Sequence, residues 1–546
     1  MDTLVLGGIG VFLLCLGYRF YGSKIERLYG IDPDRKTPAL EQYDGVDFVP
    51  ARHWFVLFGH HFASIAGAAP IIGPVIAVSL WGWGPSIIWI VLGCVFMGGV
   101  HDFGALIASV RHKGGSIAEV GGVVIGKRTR VIFSSFIWMT LILIIAVFVF
   151  FSAKTYLAEP KVVLPSFGLI PVAMLVGHML YTMRYNQLAT TIIGLSLMIG
   201  LVALGNYLPI DLGENALLVW IVVLLIYCTI ASVMPVQKLL QPRDYLCGLF
   251  LAAGMLFGYG GLILTHPHTD LPFYITWNSE SGMLWPMLFV TIACGAISGF
   301  HSLVASGTSS KQLPNERYAK KIGYGGMLVE GGVAILALVA VMAGFKEHTS
   351  LAQMLGKGGP GPISAFSQGF QVMTAPFFGS FGGIIAVTIL NSFILSTLDT
   401  ATRIGRYITQ ELFGLKNRYL ATVIIVLLSG GLALSGKWQQ IWPIFGASNQ
   451  LVGALALLVI SGWLLVQKKP VLYTILPALF VLVTTIGALC FNAWQFIRQK
   501  DYLLLIIAII LMVLACCVLG EARGLLKNLR TSRKGEETTE LSGDTE

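Results

Sequence analysis

GHHFASIAGAAPIIGP, residues 59 to 74, decides how the rest of the chain is read. Two adjacent histidines, three glycines and two prolines sit inside a segment otherwise apolar enough to cross a membrane. A helix facing lipid would leave both imidazoles in hydrocarbon, and Pro70 and Pro74 each lack a backbone donor. The segment must therefore face other helices or a water-filled cavity. An interrupted, polar membrane helix of this kind points to the binding site of a transporter.

Outward from this segment, composition sets the class. Of 546 residues, 55% are hydrophobic, only 12% are charged and 63 are glycine, and the mean hydropathy is +0.78. These values exclude an ordinary soluble domain and imply an all-α, polytopic membrane protein. All eight cysteines lie in or beside apolar runs without CxxC spacing, which argues against a disulfide framework. No basic region precedes the first apolar stretch and no small-residue cleavage site follows it, so residues 3 to 21 read as a retained span.

Roughly 20 helical residues cross ~30 Å of hydrocarbon. About fifteen stretches reach that length: 3–21, 54–80, 86–110, 131–153, 168–183, 187–206, 216–235, 244–264, 285–307, 322–344, 377–402, 419–435, 438–466, 471–492 and 502–520. The connections between them alternate in charge: 29 of the 36 Lys and Arg fall on one side and 7 on the other. The positive-inside rule then puts the N-terminus outside and the C-terminus in the cytoplasm. The net charge of +9 is thus an orientation signal, with no nucleic-acid partner implied. Residues 1–530 form a single transmembrane domain, and the polar stretch 531–546 is expected to be a disordered cytoplasmic tail.

A second interruption is expected in YCTIASVMPVQKLLQPRDYL, residues 227 to 246, at Pro235. It begins five spans after the first, and five is odd. Two equivalent five-helix units, near 54–206 and 216–402, would then be inserted upside down relative to each other. The helices at 3–21 and 419–520 are extra to this plan.

Ionisable residues within the spans gather toward one side. At 1.5 Å per residue, His60 and His61 lie roughly 10 Å inside and Gly67 near the midplane. His101 and Asp102 sit roughly 13 to 15 Å short of Arg111, with His178 and His301 at similar depth. Ser298, Ser302, Ser306 and Ser309 line one face of span nine, and Ser392, Ser396 and Asp399 one face of span eleven with Arg403 a turn beyond. Such hydroxyl stripes suit a cation or hydrated substrate, and they equally serve as packing surfaces. Asp399 reads just as simply as a partner for Arg403 or Arg406. The outer motif THPHTD, residues 265 to 270, reads as a solvated loop before a metal site.

The segments RKTPA and DGVDFVP, then GHHFASIAGAAPIIGP, VHDF, SGFHSLVASGTSSKQ, LDTATR and WPIFGASNQ, in this order between residues 35 and 451, resemble the carbon starvation protein A family of bacterial inner-membrane transporters. The resemblance implies import of peptides or pyruvate, with proton symport favoured over sodium. It also implies a fold related to the amino acid, polyamine and organocation superfamily, whose repeats each open on a helix unwound at the midplane, here spans two and seven. Substrate would then meet Gly67, Ala68, Ala69, Ser64, Asn391 and Ser392, with freed amides holding a carboxylate. Proton coupling would fall to His60, His61, His101, Asp102 and His301. Ser298 and Ser302 would form a cation site if one is used.

Two other classes compete. An integral-membrane metalloenzyme would use the inner-half histidines and Asp102 on zinc, but there is no HExxH pair, and adjacent histidines diverge by about 100° on a helix. A channel would not need inverted broken helices. The reading calls for no cofactor and no catalytic residue. A single cysteine placed at Ser542 of an otherwise cysteine-free chain should react with an impermeant label only from the cytoplasmic face; labelling from outside would invert the topology.

Overall fold

The computed structural model describes residues 2–356, 358–436, 438–520 and 523, so the expected tail at 531–546 lies outside it. A two-stranded antiparallel hairpin pairs Asn278 with Met283 and Ser279 with Gly282. Helices dominate the rest. In chain order, apart from the shorter helices Pro38–Glu41, Ile117–Val124, His348–Leu355 and Pro362–Phe378, they are α1 Thr3–Tyr29, α2 Trp54–Ala66, α3 Ala69–Trp81, α4 Trp83–Arg111, α5 Lys127–Ala158, α6 Pro160–Thr182 and α7 Gln187–Tyr207. There follow α8 Ala216–Val233, α9 Leu240–Thr265, α10 Leu284–Thr291, α11 Gly299–Gly307, α12 Glu316–Gly344 and α13 Gly382–Phe413. Helices α14 Arg418–Leu434, α15 Trp438–Val466, α16 Leu472–Gln499 and α17 Tyr502–Gly520 complete the bundle.

Twelve helices among the described residues are long and apolar enough to span a bilayer, or thirteen when α2 and α3 count as one span bent by 41°. Two of the fifteen expected positions differ. Helix α14 has 17 residues, and span nine is two short helices, α10 and α11, of 8 and 9 residues.

The first interruption lies where the sequence puts it. Helix α2 ends at Gly67, whose φ of 40° would strain a residue bearing a Cβ, and a Cβ there would stand 3.1 Å from Thr397 Oγ1. Helix α3 restarts with Pro70 in its first turn, where a missing N–H costs nothing.

The second interruption is elsewhere than expected. Helix α8 is continuous to Val233, and Pro235 belongs to a turn, 234–239, that separates two spans. The non-helical stretch inside a span is Ile292–Ser298, between α10 and α11. Small residues there let backbones close up: a Cβ on Gly295 would stand 2.8 Å from Ala334 Cβ and 3.7 Å from Pro70 Cα. A Cβ on Gly73 would stand 2.4 Å from the Thr291 carbonyl. The two interruptions therefore pack against each other. A π-helical turn in α4, Cys94–Gly98, seats this crossing, since a Cβ at Gly98 would stand 2.4 Å from the Ala296 carbonyl.

Helices α5 and α13, each 32 residues, run alongside one another and frame the crossing. At the end bearing the basic loops, the segment 30–53 folds over the bundle. The Asp44 carboxylate accepts the N–H groups of Val46, Asp47 and Phe48, at 2.8, 2.8 and 2.9 Å, and so shapes the turn. Asp47 then meets two buried guanidinium groups of α13, Arg403 at 2.6 Å and Arg406 at 3.1 Å. These arginines serve the loop, and Asp399 pairs elsewhere.

Burial alone would raise the Asp47 carboxyl, but Arg403 and Arg406 outweigh it and hold it at about 2, below its ordinary 3.8. Its lowered value makes the lock fully effective above about pH 4 and progressively lost as pH falls toward about 2. Asp47→Asn leaves two buried cations unpaired and should cost about 3 kcal/mol. Thermal unfolding in detergent should show a lower midpoint and a flatter pH dependence between pH 4 and 2; an unchanged midpoint would remove the lock.

Candidate functional site

Three buried polar groupings surround the crossed interruptions. The first joins α2, α9 and α13. His60 Nδ1 lies 2.6 Å from Asp244 Oδ2, and Ser64 Oγ donates to Asp244 at 3.3 Å while sitting 2.9 Å from Thr400 Oγ1. Thr397 donates to the Ser64 carbonyl at 3.0 Å, occupying one of the acceptors freed where α2 stops. Side-chain oxygens from α13 thus satisfy the end of the broken helix.

A hydrogen-bonded chain leads into this grouping from the loop 30–53. The Tyr181 hydroxyl donates to Gln241 Oε1, and Gln241 Nε2 donates to the Val49 carbonyl at 3.3 Å and to Gln312 Oε1 at 2.6 Å. Gln312 Nε2 then faces His60 Nε2 at 3.1 Å. An amide nitrogen can only donate, so His60 accepts on Nε2 and carries its proton on Nδ1, toward Asp244. The sequence decides this tautomer through two glutamines that no motif flags.

The second grouping joins α4, α11 and α12. Asp102 accepts from His101 at 2.7 Å and from His301 at 2.9 Å, and the far nitrogen of His301 lies 3.2 Å from Glu330 Oε2. Both ring nitrogens of His301 thus face carboxylates. A doubly protonated ring can serve both, whereas a neutral ring serves one and leaves Glu330 to hold the proton. His61 points away from His60, with Nδ1 2.8 Å from Ser309 Oγ. Its ring lies over Gly326, where a Cβ would come within 3.0 Å of it, one turn from Glu330 on the same face of α12.

The third grouping is an ion pair. The Arg243 guanidinium donates to Asp399 and to the Tyr227 hydroxyl, and both charged side chains are at most 1% exposed. Its Nε and Nη2 face no acceptor. Asn391, on the same helix as Asp399, donates to Ser166 at 2.7 Å.

The expected site residues divide accordingly. Gly67, Ala68, Ala69 and Ser64 lie at the first interruption, and His101, Asp102 and His301 meet as one cluster. His178 lies exposed on the bundle surface, apart from it. The hydroxyls of Ser302 and Ser306 bond back to Gly299 and Ser302 carbonyls of their own helix, both at 2.7 Å, and Ser392 likewise to Thr388 at 2.8 Å. Ser298 sits 2.9 Å from Asn449 Nδ2. Among the described residues, no three His, Cys, Asp or Glu side chains are arranged to hold a metal ion.

Sequence reasoning missed Arg243, Asp244, Gln312, Glu330 and Asn449. Glu330 was legible as the sole charge in GGMLVEGGVAILALVAVMAG. Arg243 fell in the connection between the expected spans 216–235 and 244–264, beside Pro235 and Pro242, and Asp244 opened the second of these spans without a role.

The chain matches the carbon starvation protein CstA family over residues 2–357 and 345–488. It is 33% identical over 565 residues to the peptide transporter CstA of Campylobacter jejuni, covering 88% of this chain and 79% of that one. The pyruvate/proton symporter BtsT of Escherichia coli is 30% identical, covering 89% and 81%. The peptide transporter CstA of the same organism is 31% identical, covering 90% and 80%.

Asn449 Oδ1 accepts the Phe300 amide at 2.8 Å, so a residue of α15 caps the start of α11. Asn449→Ala should cost about 1 to 2 kcal/mol. Amide exchange at 299–302 should rise in that variant ahead of the flanking helices; unchanged protection there would show that the cap does not hold the interruption.

Proposed function

This chain belongs to the carbon starvation protein CstA family, and on that footing we propose that it is a secondary active transporter importing a small carboxylate, pyruvate or a short peptide, in symport with protons. The crossing of the two interrupted helices carries this reading. It brings together two helix ends whose backbone groups are met by side chains, Thr397 on one and Asn449 on the other, near the His60–Asp244 and His301–Asp102 groupings. A helix broken within the membrane presents N–H groups to an anion and carbonyls to a cation. In this chain Gly67, Ala68 and Ala69 supply the amides, beside Ser64. Asn391 and Ser392 lie on α13, the helix that borders the break.

The repeat is re-registered by the second interruption. We pair α2/α3, α4, α5, α8 and α9 with α10/α11, α12, α13, α14 and α15, and treat α6 and α7 as an inserted hairpin. In each unit a broken helix is followed by one long helix and then by one of 32 residues. Counted as spans, the two broken helices stand an odd number apart, which inverts one unit relative to the other. With the N-terminus outside, the loop 30–53 is cytoplasmic and the Tyr181 to His60 chain enters from that side.

Coupling follows from the chemistry of the two clusters. Imidazole and carboxylate held in contact can pass a proton between them, and the contacts of His60 with Asp244, and of His301 with Asp102 and Glu330, keep such a proton inside a hydrogen-bonded group. The Ser298 and Ser302 hydroxyls, bonded to Asn449 and Gly299, offer a cation no comparable site. Sodium is therefore the second choice.

Proteoliposomes holding the protein, given labelled pyruvate or dialanine with an imposed proton gradient and no sodium, should show saturable uptake that an uncoupler abolishes. Asp102→Asn and His61→Gln should lose gradient-driven uptake while retaining exchange of labelled for unlabelled substrate. Absence of uptake of either substrate, with or without sodium, would overturn the proposal.

A further inference from the structure

Arg243 is a buried cation whose chemistry the coupling clusters leave unused. It sits in the first turn of α9, fully buried, with Asp399 and Tyr227 on Nη1 and the Tyr227 ring 5.5 Å from its guanidinium carbon. Its Nε and Nη2 lack acceptors, as does Asp399 Oδ1. A guanidinium presents parallel N–H groups in a fork that matches a carboxylate. Half of that fork is therefore unmatched in a region where an unmet charged donor is costly.

The surroundings have the form of a small-molecule site. Tyr156, Phe167, Trp220 and Tyr227 form a continuous aromatic wall, with ring centroids 5.0 Å apart for Tyr156 and Trp220 and 6.2 Å apart for Phe167 and Tyr227. Asn391 adds an amide whose oxygen has no partner. A cavity of about 540 Å³ at the opposite end of the bundle from the loop 30–53 is lined by Phe151, Thr155 and Val387 among others. Thr155 adjoins Tyr156, and Val387 lies one turn from Asn391.

We infer that Arg243 is the receptor for the carboxylate of the transported substrate, and that Asp399 is the carboxylate it displaces. The inference rests on the transport reading above, but makes Arg243 in place of the Gly67, Ala68 and Ala69 amides the partner of the substrate carboxylate, and adds an order of events. A substrate anion arriving at Arg243 meets Asp399 already there, and two carboxylates on one buried cation leave a net negative charge in low dielectric. The step balances when Asp399 takes one proton from the same side as the substrate: one anion and one proton enter, and the interior keeps its charge. Facing Asp399 are Arg243, Asp244 and Cys247 from α9, Tyr227 and Cys228 from α8, Tyr156 from α5, and Arg403 from its own helix. Of the carboxylates in this group, only Asp399 bonds Arg243, through Nη1, which it shares with the Tyr227 hydroxyl. Asp244 is committed to His60 and Ser64.

The test uses the full chain in lipid nanodiscs, with pyruvate and dialanine as probes and pyruvamide and dialanine amide as their neutral counterparts. Wild type should bind the carboxylates, more tightly as pH falls, and discriminate against the amides. Arg243→Gln should weaken carboxylate binding by at least about 30-fold. Because that variant strands Asp399 and can misfold, the double variant Arg243→Gln/Asp399→Asn keeps the interior neutral; it should remain monodisperse and still fail to discriminate acid from amide. Asp399→Asn should bind the carboxylates with an affinity that no longer follows pH. Carboxylate affinity within 3-fold of wild type in the double variant, or full pH dependence in Asp399→Asn, would overturn the inference and leave the transport reading standing. Wild-type protein that binds neither carboxylate would overturn both.

Discussion

The carboxylate of Asp399 holds the guanidinium of Arg243 where neither reaches solvent, and the helices that carry them cannot part without leaving a bare charge inside the bundle. Breaking one member of a buried pair costs several kcal/mol, far more than a surface pair is worth. The same constraint recurs at every polar point of the interior. His60 answers Asp244, His301 answers Asp102 and Glu330, and Asp47 caps Arg403 and Arg406 at the loop-bearing end. Helices α2, α9, α11, α12 and α13 are positioned as much by these pairings as by apolar packing. A protein bound in this way can change shape only by steps that exchange one neutral arrangement for another.

Interrupted helices make such exchanges accessible. Where α2 stops at Gly67 and α11 starts at Gly299, backbone groups that a continuous helix would satisfy are met by side chains of other helices, Thr397 in one case and Asn449 in the other. Those contacts can be given up to a substrate without unwinding anything further. Gly73 and Gly295 leave little room for a Cβ where the two interruptions meet, Gly98 does so between α4 and Ala296, and Gly299 between α11 and Asn449 of α15. Close approach of backbones is what lets a small ligand touch both.

Much of this was legible in the sequence. The apolar runs, the break at Gly67 and the meeting of His101, Asp102 and His301 follow from hydropathy, Gly and Pro placement, and depth along a helix. The second interruption was not. Ile292–Ser298 contains no proline, and its broken geometry depends on a cap from Asn449, 149 residues along the chain from Phe300; Pro235 gave a stronger local signal and marks only a turn. Arg243 fell between two expected spans because neighbouring prolines imitate a loop, and Asp244 opened the second span without a role. Asp399 was read equally as part of a hydroxyl-lined face or as a partner for Arg403 or Arg406 on its own helix, whereas its partner comes from α9. Pairings of long sequence separation are set by tertiary packing, which no local pattern reports.

The most direct measurement of the central claim, that a substrate anion enters this interior only with a compensating proton, is proton uptake on substrate binding. Purified protein in weakly buffered detergent solution, with a pH indicator, would receive saturating pyruvate or dialanine near neutral pH. The account predicts uptake of about one proton per bound substrate, falling away below the pH at which the buried acid is already protonated. Stoichiometric binding with no proton taken up at any pH would contradict it.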